Sequence, residues 1–162
     1  MMRLATVALA CAAMMTVPGA GQAKPDDDDF TVWEGACSAA SYVAEAPGSG
    51  RKPFPCNALI HIQIPGQPGH EQFIFVIKGD EGKQNGVMLS FGGMIDPKGN
   101  LQVANIQFQP AVGTEMAAGS ACTITRDGEA IKRIQCNATA ADGGGRGAMI
   151  DFAATGKMAR PQ

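Results

Sequence analysis

The sequence has few of the side chains on which enzyme chemistry most often depends. Its 162 residues include two histidines, one tryptophan and one tyrosine, and only 17% of the residues are charged. It contains no Gly-x-Ser-x-Gly nucleophile element and no Cys or His spacing typical of structural zinc sites. The net charge of −2 provides no basic excess of the kind that a nucleic-acid-binding face needs. We therefore predict no enzyme, no cofactor or metal site and no nucleic-acid partner.

The longest apolar run stands at the N-terminus and predicts an export signal. Arg3 precedes an uncharged apolar stretch at 4–17, and small residues lead to Ala23, so residues 1–23 fit a secretory signal peptide cleaved after Ala23. An uncleaved N-terminal anchor is the alternative. The run is shorter than the roughly 20 residues that span a bilayer. We expect a mature chain without a membrane span, in the periplasm or outside the cell.

The rest of the chain is expected to form one domain between two short tails. Residues 24–29 include four consecutive aspartates, whose mutual repulsion favours a solvated, flexible tail. Residues 30–156 form the predicted single β domain, and residues 157–162 a loose C-terminal tail.

Short runs rich in Val, Ile and Phe alternate with Gly, Pro and Asp clusters after residue 29, a pattern typical of strands. Residues 38–46 are a possible exception, since Ser38 is suited to cap a short helix over 39–46 that Pro47 would end. The fold class is therefore all-β, as a small antiparallel barrel or a two-layer sandwich, with one short helix as an option. The predicted strands are 30–36, 57–64, 71–78, 86–95, 101–109, 120–126, 131–139 and 148–155.

Alternation within two of these runs predicts which side chains face the core. In 57–64 we expect the isoleucines, including Ile60 and Ile62, to point inward and His61 to be a partly exposed residue on the other face. In 101–109 the apolar residues change phase, which predicts a β-bulge near Ala104 and Asn105.

Four cysteines follow the signal, and an even set in a small exported domain predicts two disulfides. Paired across a hairpin, Cys122 and Cys136 share one face with apolar neighbours, so we predict that they bond to each other. Cys37 then bonds to Cys56. Four cysteines allow three connectivities, and local geometry favours this one.

Few residues qualify as candidates for chemistry or binding. His61 and His70 are not expected to share a metal, because they are not cross-strand partners in the hairpin. Trp33 and Tyr42 are expected to cover one end of the β core, with a role in a ligand mouth as the alternative. The carboxylates available for glycoside chemistry are Glu34, Glu71, Asp96 and Asp151.

Three classes of function stay open at this stage. The first is a protein-binding or inhibitor-like module with an extracytoplasmic protein as partner, suggested by two rigid bridges and three polar loops without a catalytic motif. The second is a carrier of a small apolar ligand inside a barrel, suggested by the two-sided apolar run at 73–77 and by Gly92 and Gly93. The third is a hydrolase with dispersed carboxylates.

Overall fold

The computed structural model describes residues 30–45, 48–78, 86–108, 114–115, 119–141 and 145–158. They form eleven strands, which include all eight of the predicted ones. The strands are β1 (Phe30–Cys37), β2 (Tyr42–Ala44), β3 (Lys52–Pro53), β4 (Ala58–Gln63), β5 (His70–Ile77), β6 (Val87–Ile95), β7 (Leu101–Phe108), β8 (Thr114–Glu115), β9 (Ala121–Asp127), β10 (Ala130–Thr139) and β11 (Gly147–Lys157).

Eight of these strands close into an antiparallel barrel, which decides between the two predicted architectures. The order is β1-β4-β5-β6-β7-β9-β10-β11, and β11 pairs back with β1. Outside the barrel, β2 pairs with the first residues of β11, β3 pairs with β2, and β8 pairs with β7. Among the described residues, closure leaves these short accessory strands as the edges, which limits unwanted pairing with other chains.

The middle of the barrel is filled by aromatic and branched side chains. The ring of Phe75 packs edge-on against Phe91 and Phe152, with centroids 5.8 and 5.9 Å apart. An eight-stranded barrel is just wide enough for side chains to fill its interior. The fully buried set that fills it includes Leu59, Phe73, Leu89, Leu101, Ile106, Ile131, Ile134 and Ile150.

The inward face of β4 is the opposite of the predicted one. Leu59 and His61 point into the barrel with exposures of 0% and 8%, whereas Ile60 and Ile62 lie half-buried on its outer surface. The reason is the register with β5, because His61 lies opposite the fully buried Phe73. The larger aromatic side chains occupy the interior, and their cross-strand partners must share that face.

The predicted helix over 39–46 is also wrong for the part that the structure describes. A turn at residues 39–40 leads into β2, which continues along β11 beyond the end of β1. Ser38 does not cap a helix, since its main-chain N–H donates to the Asp151 carbonyl. β11 is longer than β1 and offers unpaired groups there, and Tyr42 and Val43 favour strands. An isolated helix of eight residues would have only marginal stability in water.

The predicted bulge in β7 is confirmed. Gly92 pairs with Asn105 and Gly93 with Val103, so Ala104 is the extra residue. This restores Ile106 to the buried face. Gly93 permits the bulge because a Cβ there would overlap the main chain of Gln102.

Both predicted disulfides are confirmed. Cys37 bonds to Cys56, which ties the end of β1 to the segment before β4. Cys122 and Cys136 are directly opposite in the β9-β10 hairpin, in the register predicted from the sequence. Both lie inside the barrel, 0% and 2% exposed. Two disulfides are consistent with an oxidising, extracytoplasmic location.

Some sequence predictions fall on residues outside the described ranges. These are the signal peptide at 1–23, the acidic tail at 24–29 and the end of the C-terminal tail. Within the described ranges, no helix has the length and apolar character needed to cross a membrane.

Candidate ligand site at one end of the barrel

A cavity of about 790 Å³ lies at one end of the barrel. That end is formed by the start of β1, β5 and β10 and by the end of β4, β9 and β11. Its outer lining is exposed, so the cavity is accessible from solvent. The lining includes Trp33, His61, Glu71, Arg126, Ile131 and Lys157.

His61 and Glu71 form the most buried polar pair in the cavity. Glu71 Oε2 lies 2.7 Å from His61 Nε2, and the two side chains are 14% and 10% exposed. A carboxylate can only accept hydrogen bonds, so Nε2 carries the hydrogen and donates it to Glu71. The imidazole stacks on the buried ring of Phe73, with centroids 4.6 Å apart and planes 7° apart. These contacts fix the orientation of His61 on the wall.

Arg126 approaches this pair from the other side of the barrel. Its guanidinium Nη2 lies 3.9 Å from Glu71 Oε2, which is within ion-pair distance but too long for a hydrogen bond. β5 and β9 are not neighbours in the sheet, so this contact crosses the open end. The contact is possible because the β9-β10 hairpin is longer than its neighbour β7 at this end. Leu101, the first residue of β7, pairs with Cys122, and residues 125–130 of the hairpin extend beyond that point.

Trp33 and Lys157 lie together on the wall formed by β1 and β11. They are directly opposite one another in the antiparallel pair. Trp33 is 7% exposed, and its buried indole Nε1–H has no hydrogen-bond partner within the described part of the chain. A buried donor without a partner is unusual and costs about 1–3 kcal/mol. Trp33 thus covers one end of the core, as expected from the sequence, and also lines the cavity.

The four candidate carboxylates lie in separate environments. Only Glu71 lines the cavity, and Glu34 is exposed on the outer side of β1. Asp96 accepts hydrogen bonds from the main-chain N–H groups of Asn100 and Lys98, which lower its pKa against the opposing effect of desolvation. No pair of these four side chains flanks a common space in the described structure.

Asp151 forms a bidentate ion pair on the outside of the barrel. The Arg133 guanidinium donates to both of its carboxylate oxygens at 2.7 Å. These hydrogen bonds and the charge of Arg133 hold the pKa of Asp151 below its usual value, and partial desolvation opposes them. The role of Asp151 is therefore explained by a strand-to-strand ion pair between β10 and β11.

The remaining candidates lie elsewhere. His70 is at the start of β5, and its imidazole makes no ion pair with a described residue. Tyr42 lies under the guanidinium of Arg51, 4.4 Å from the ring centroid, at the far end of β11. In the described ranges, no three of the residue types His, Cys, Asp and Glu are grouped so as to hold a metal ion.

Sequence reasoning did not find Arg126 and Lys157. Each is a single basic residue near the end of a strand, a position that usually indicates a solvated side chain. No protein-family model, curated protein sequence or solved structure matches this chain. An assignment of function therefore rests on the geometry of the cavity.

Proposed function

We propose that this protein binds a small molecule in the cavity at the end of its barrel. The observation that carries the proposal is a cavity of about 790 Å³ lined by Trp33 and Arg126, two side chains whose N–H donors have no hydrogen-bond partner in the described structure. The mouths of β-barrels are among the places where concave ligand sites typically occur. The ligand occupies the end of the barrel rather than its middle, because phenylalanine side chains fill the middle.

We further propose that the chain is exported to the periplasm or beyond the cell after cleavage behind Ala23. The two disulfides support this, since such bonds persist in oxidising compartments. In that location the protein acts as a binding protein or carrier rather than as an enzyme.

A protein partner is the second candidate, favoured by the outer surface of β1, β4 and β5. Val32, Ile60 and Ile74 are adjacent across these strands and point outward, each half-buried, with Ile62 and Val76 beside them. Contiguous outward apolar side chains are typical of interaction surfaces. The same surface fits the protein-binding or inhibitor-like role inferred from the sequence.

One experiment separates these candidates: native mass spectrometry of the full chain expressed with its own N-terminus and purified from the extracytoplasmic fraction of the expressing cells. We expect the mass of residues 24–162 with two disulfides, carrying a small-molecule adduct. Ala154→Phe, which fills the cavity wall, should remove the adduct. Ala153→Phe, the neighbouring exposed position, should keep it. A stoichiometric protein complex unaffected by Ala154→Phe would contradict the small-molecule proposal and support the second candidate.

A further inference from the structure

We infer that the ligand is a small organic monocarboxylate with an apolar body, an inference that rests on the proposed function of the cavity. Its carboxylate is held by Arg126, Lys157 and the Trp33 indole N–H, and its apolar part lies against the Trp33 ring and Ile131.

The cavity lining contains more hydrogen-bond donors than the described residues supply acceptors for. Arg126 has five N–H donors, yet its nearest acidic oxygen is 3.9 Å away. The Lys157 ammonium has no ion-pair or hydrogen-bond partner in the described structure, and neither has the indole N–H of Trp33. All three groups donate hydrogen bonds and none accepts them. A ligand group that only accepts, such as a carboxylate, complements them.

The charge of the lining favours one negative charge rather than two. Three basic and two acidic side chains line the cavity, namely Arg126, Lys132, Lys157, Glu71 and Glu129. A dianion such as a phosphate monoester would face the two glutamates with no positive excess to offset its second charge, because Lys132 pairs with Asp127 at 3.7 Å. A monocarboxylate brings a single charge to Arg126 and Lys157, and bidentate binding of carboxylates is the geometry that a guanidinium favours.

The position of Arg126 suits it to receive such a ligand. Its side chain is 32% exposed and reaches across the open end to Glu71, whose Oε2 is already hydrogen-bonded to His61. Glu71 is thus the weaker partner for Arg126, and a ligand carboxylate replaces a 3.9 Å contact with direct hydrogen bonds.

Apolar side chains lie beside these donors, on the same walls of the cavity. The indole ring of Trp33 is buried in the core cluster, and Ile131, which is 1% exposed, lies directly opposite Arg126 in the β9-β10 hairpin. Ala130 and Ala154 add small apolar surface to the lining. An alkyl or aryl body therefore finds apolar contact next to the carboxylate-binding donors.

The test compares three probes of equal chain length: octanoate, octylamine and octanol. Binding is measured by isothermal titration calorimetry and by fluorescence of Trp33, the single tryptophan. We expect octanoate to bind and the other two to bind at least tenfold more weakly. Arg126→Gln should weaken octanoate binding by about 10- to 100-fold, and Lys157→Gln or Trp33→Phe by about 3- to 10-fold. Lys98→Gln, at an exposed residue outside the cavity lining, should change binding less than twofold.

Each other outcome is informative. Octylamine or octanol binding as tightly as octanoate, and blocked by Ala154→Phe, would overturn the carboxylate inference and leave the cavity proposal intact. Octanoate binding that survives Arg126→Gln or Ala154→Phe would overturn the placement of the ligand. If no probe binds, the carboxylate inference is overturned, and the adduct in native mass spectrometry decides the proposed function separately.

Discussion

Closure of the barrel between β1 and β11 depends on Gly35. The register of the two strands shifts between Glu34 and Gly35, and a Cβ on Gly35 would overlap the Ala153 carbonyl oxygen and the ring of Phe152. Phe152 is fully buried and the carbonyl is main chain, so neither has room to move without separating the strands. We therefore expect Gly35→Ala to lower the free energy of unfolding by about 3 kcal/mol, the upper part of the range for overpacking.

The assay is urea unfolding followed by Trp33 fluorescence. With a slope of about 1.5 kcal/mol per M, a loss of 3 kcal/mol lowers the unfolding midpoint by about 2 M. Gly156→Ala is the matched control, because Gly156 lies opposite Glu34 in the same strand pair and a Cβ there would meet nothing within 4 Å. Its effect should stay within about 0.5 kcal/mol. Equal midpoints for the two variants would refute the packing of Phe152 on Gly35.

Two further predictions concern covalent and ionic stabilisation. Replacing Cys122 and Cys136 together by alanine should lower the free energy of unfolding by about 3 kcal/mol. This is the chain-entropy value for a disulfide that joins residues 14 positions apart. A loss under about 1 kcal/mol in the same urea assay would contradict this. The folded-state pKa of Asp151 is lowered by Arg133, so its contribution to stability is fully present above the usual pKa near 3.8 and disappears as the pH falls through the lowered value. Asp151→Asn should therefore be less stable than wild type near neutral pH, with a gap that narrows only below about pH 4; a gap independent of pH would contradict the ion pair.

The barrel strands were predictable because each is long, ends at a turn signal and carries its own alternation. The clearest case is the hairpin of β9 and β10, where Cys122 with Cys136 and Ile124 with Ile134 give a single register. Residues 38–46 were not predictable in the same way, because the strand there depends on unpaired groups of β11, far along the chain. Local propensity decides short segments only when no such edge is available.

The inward position of His61 could have been predicted from the sequence, whereas the contact between Arg126 and Glu71 could not. The β4-β5 hairpin pairs residue 63 with 71, so His61 lies opposite Phe73 and Leu59 opposite Phe75. Choosing the phenylalanines rather than the isoleucines as the core face would have placed His61 inside, because cross-strand partners share a face.

Arg126 meets Glu71 only because eight strands close with the β9-β10 hairpin extending beyond β7, a property of the register of the whole barrel. Trp33 and Lys157 likewise become neighbours through the pairing of the first barrel strand with the last. The candidate site is therefore a product of closure rather than of any local motif. The same closure brings Trp33, Arg126 and Lys157 into the lining of one cavity, beyond the side chains that fill the middle of the barrel.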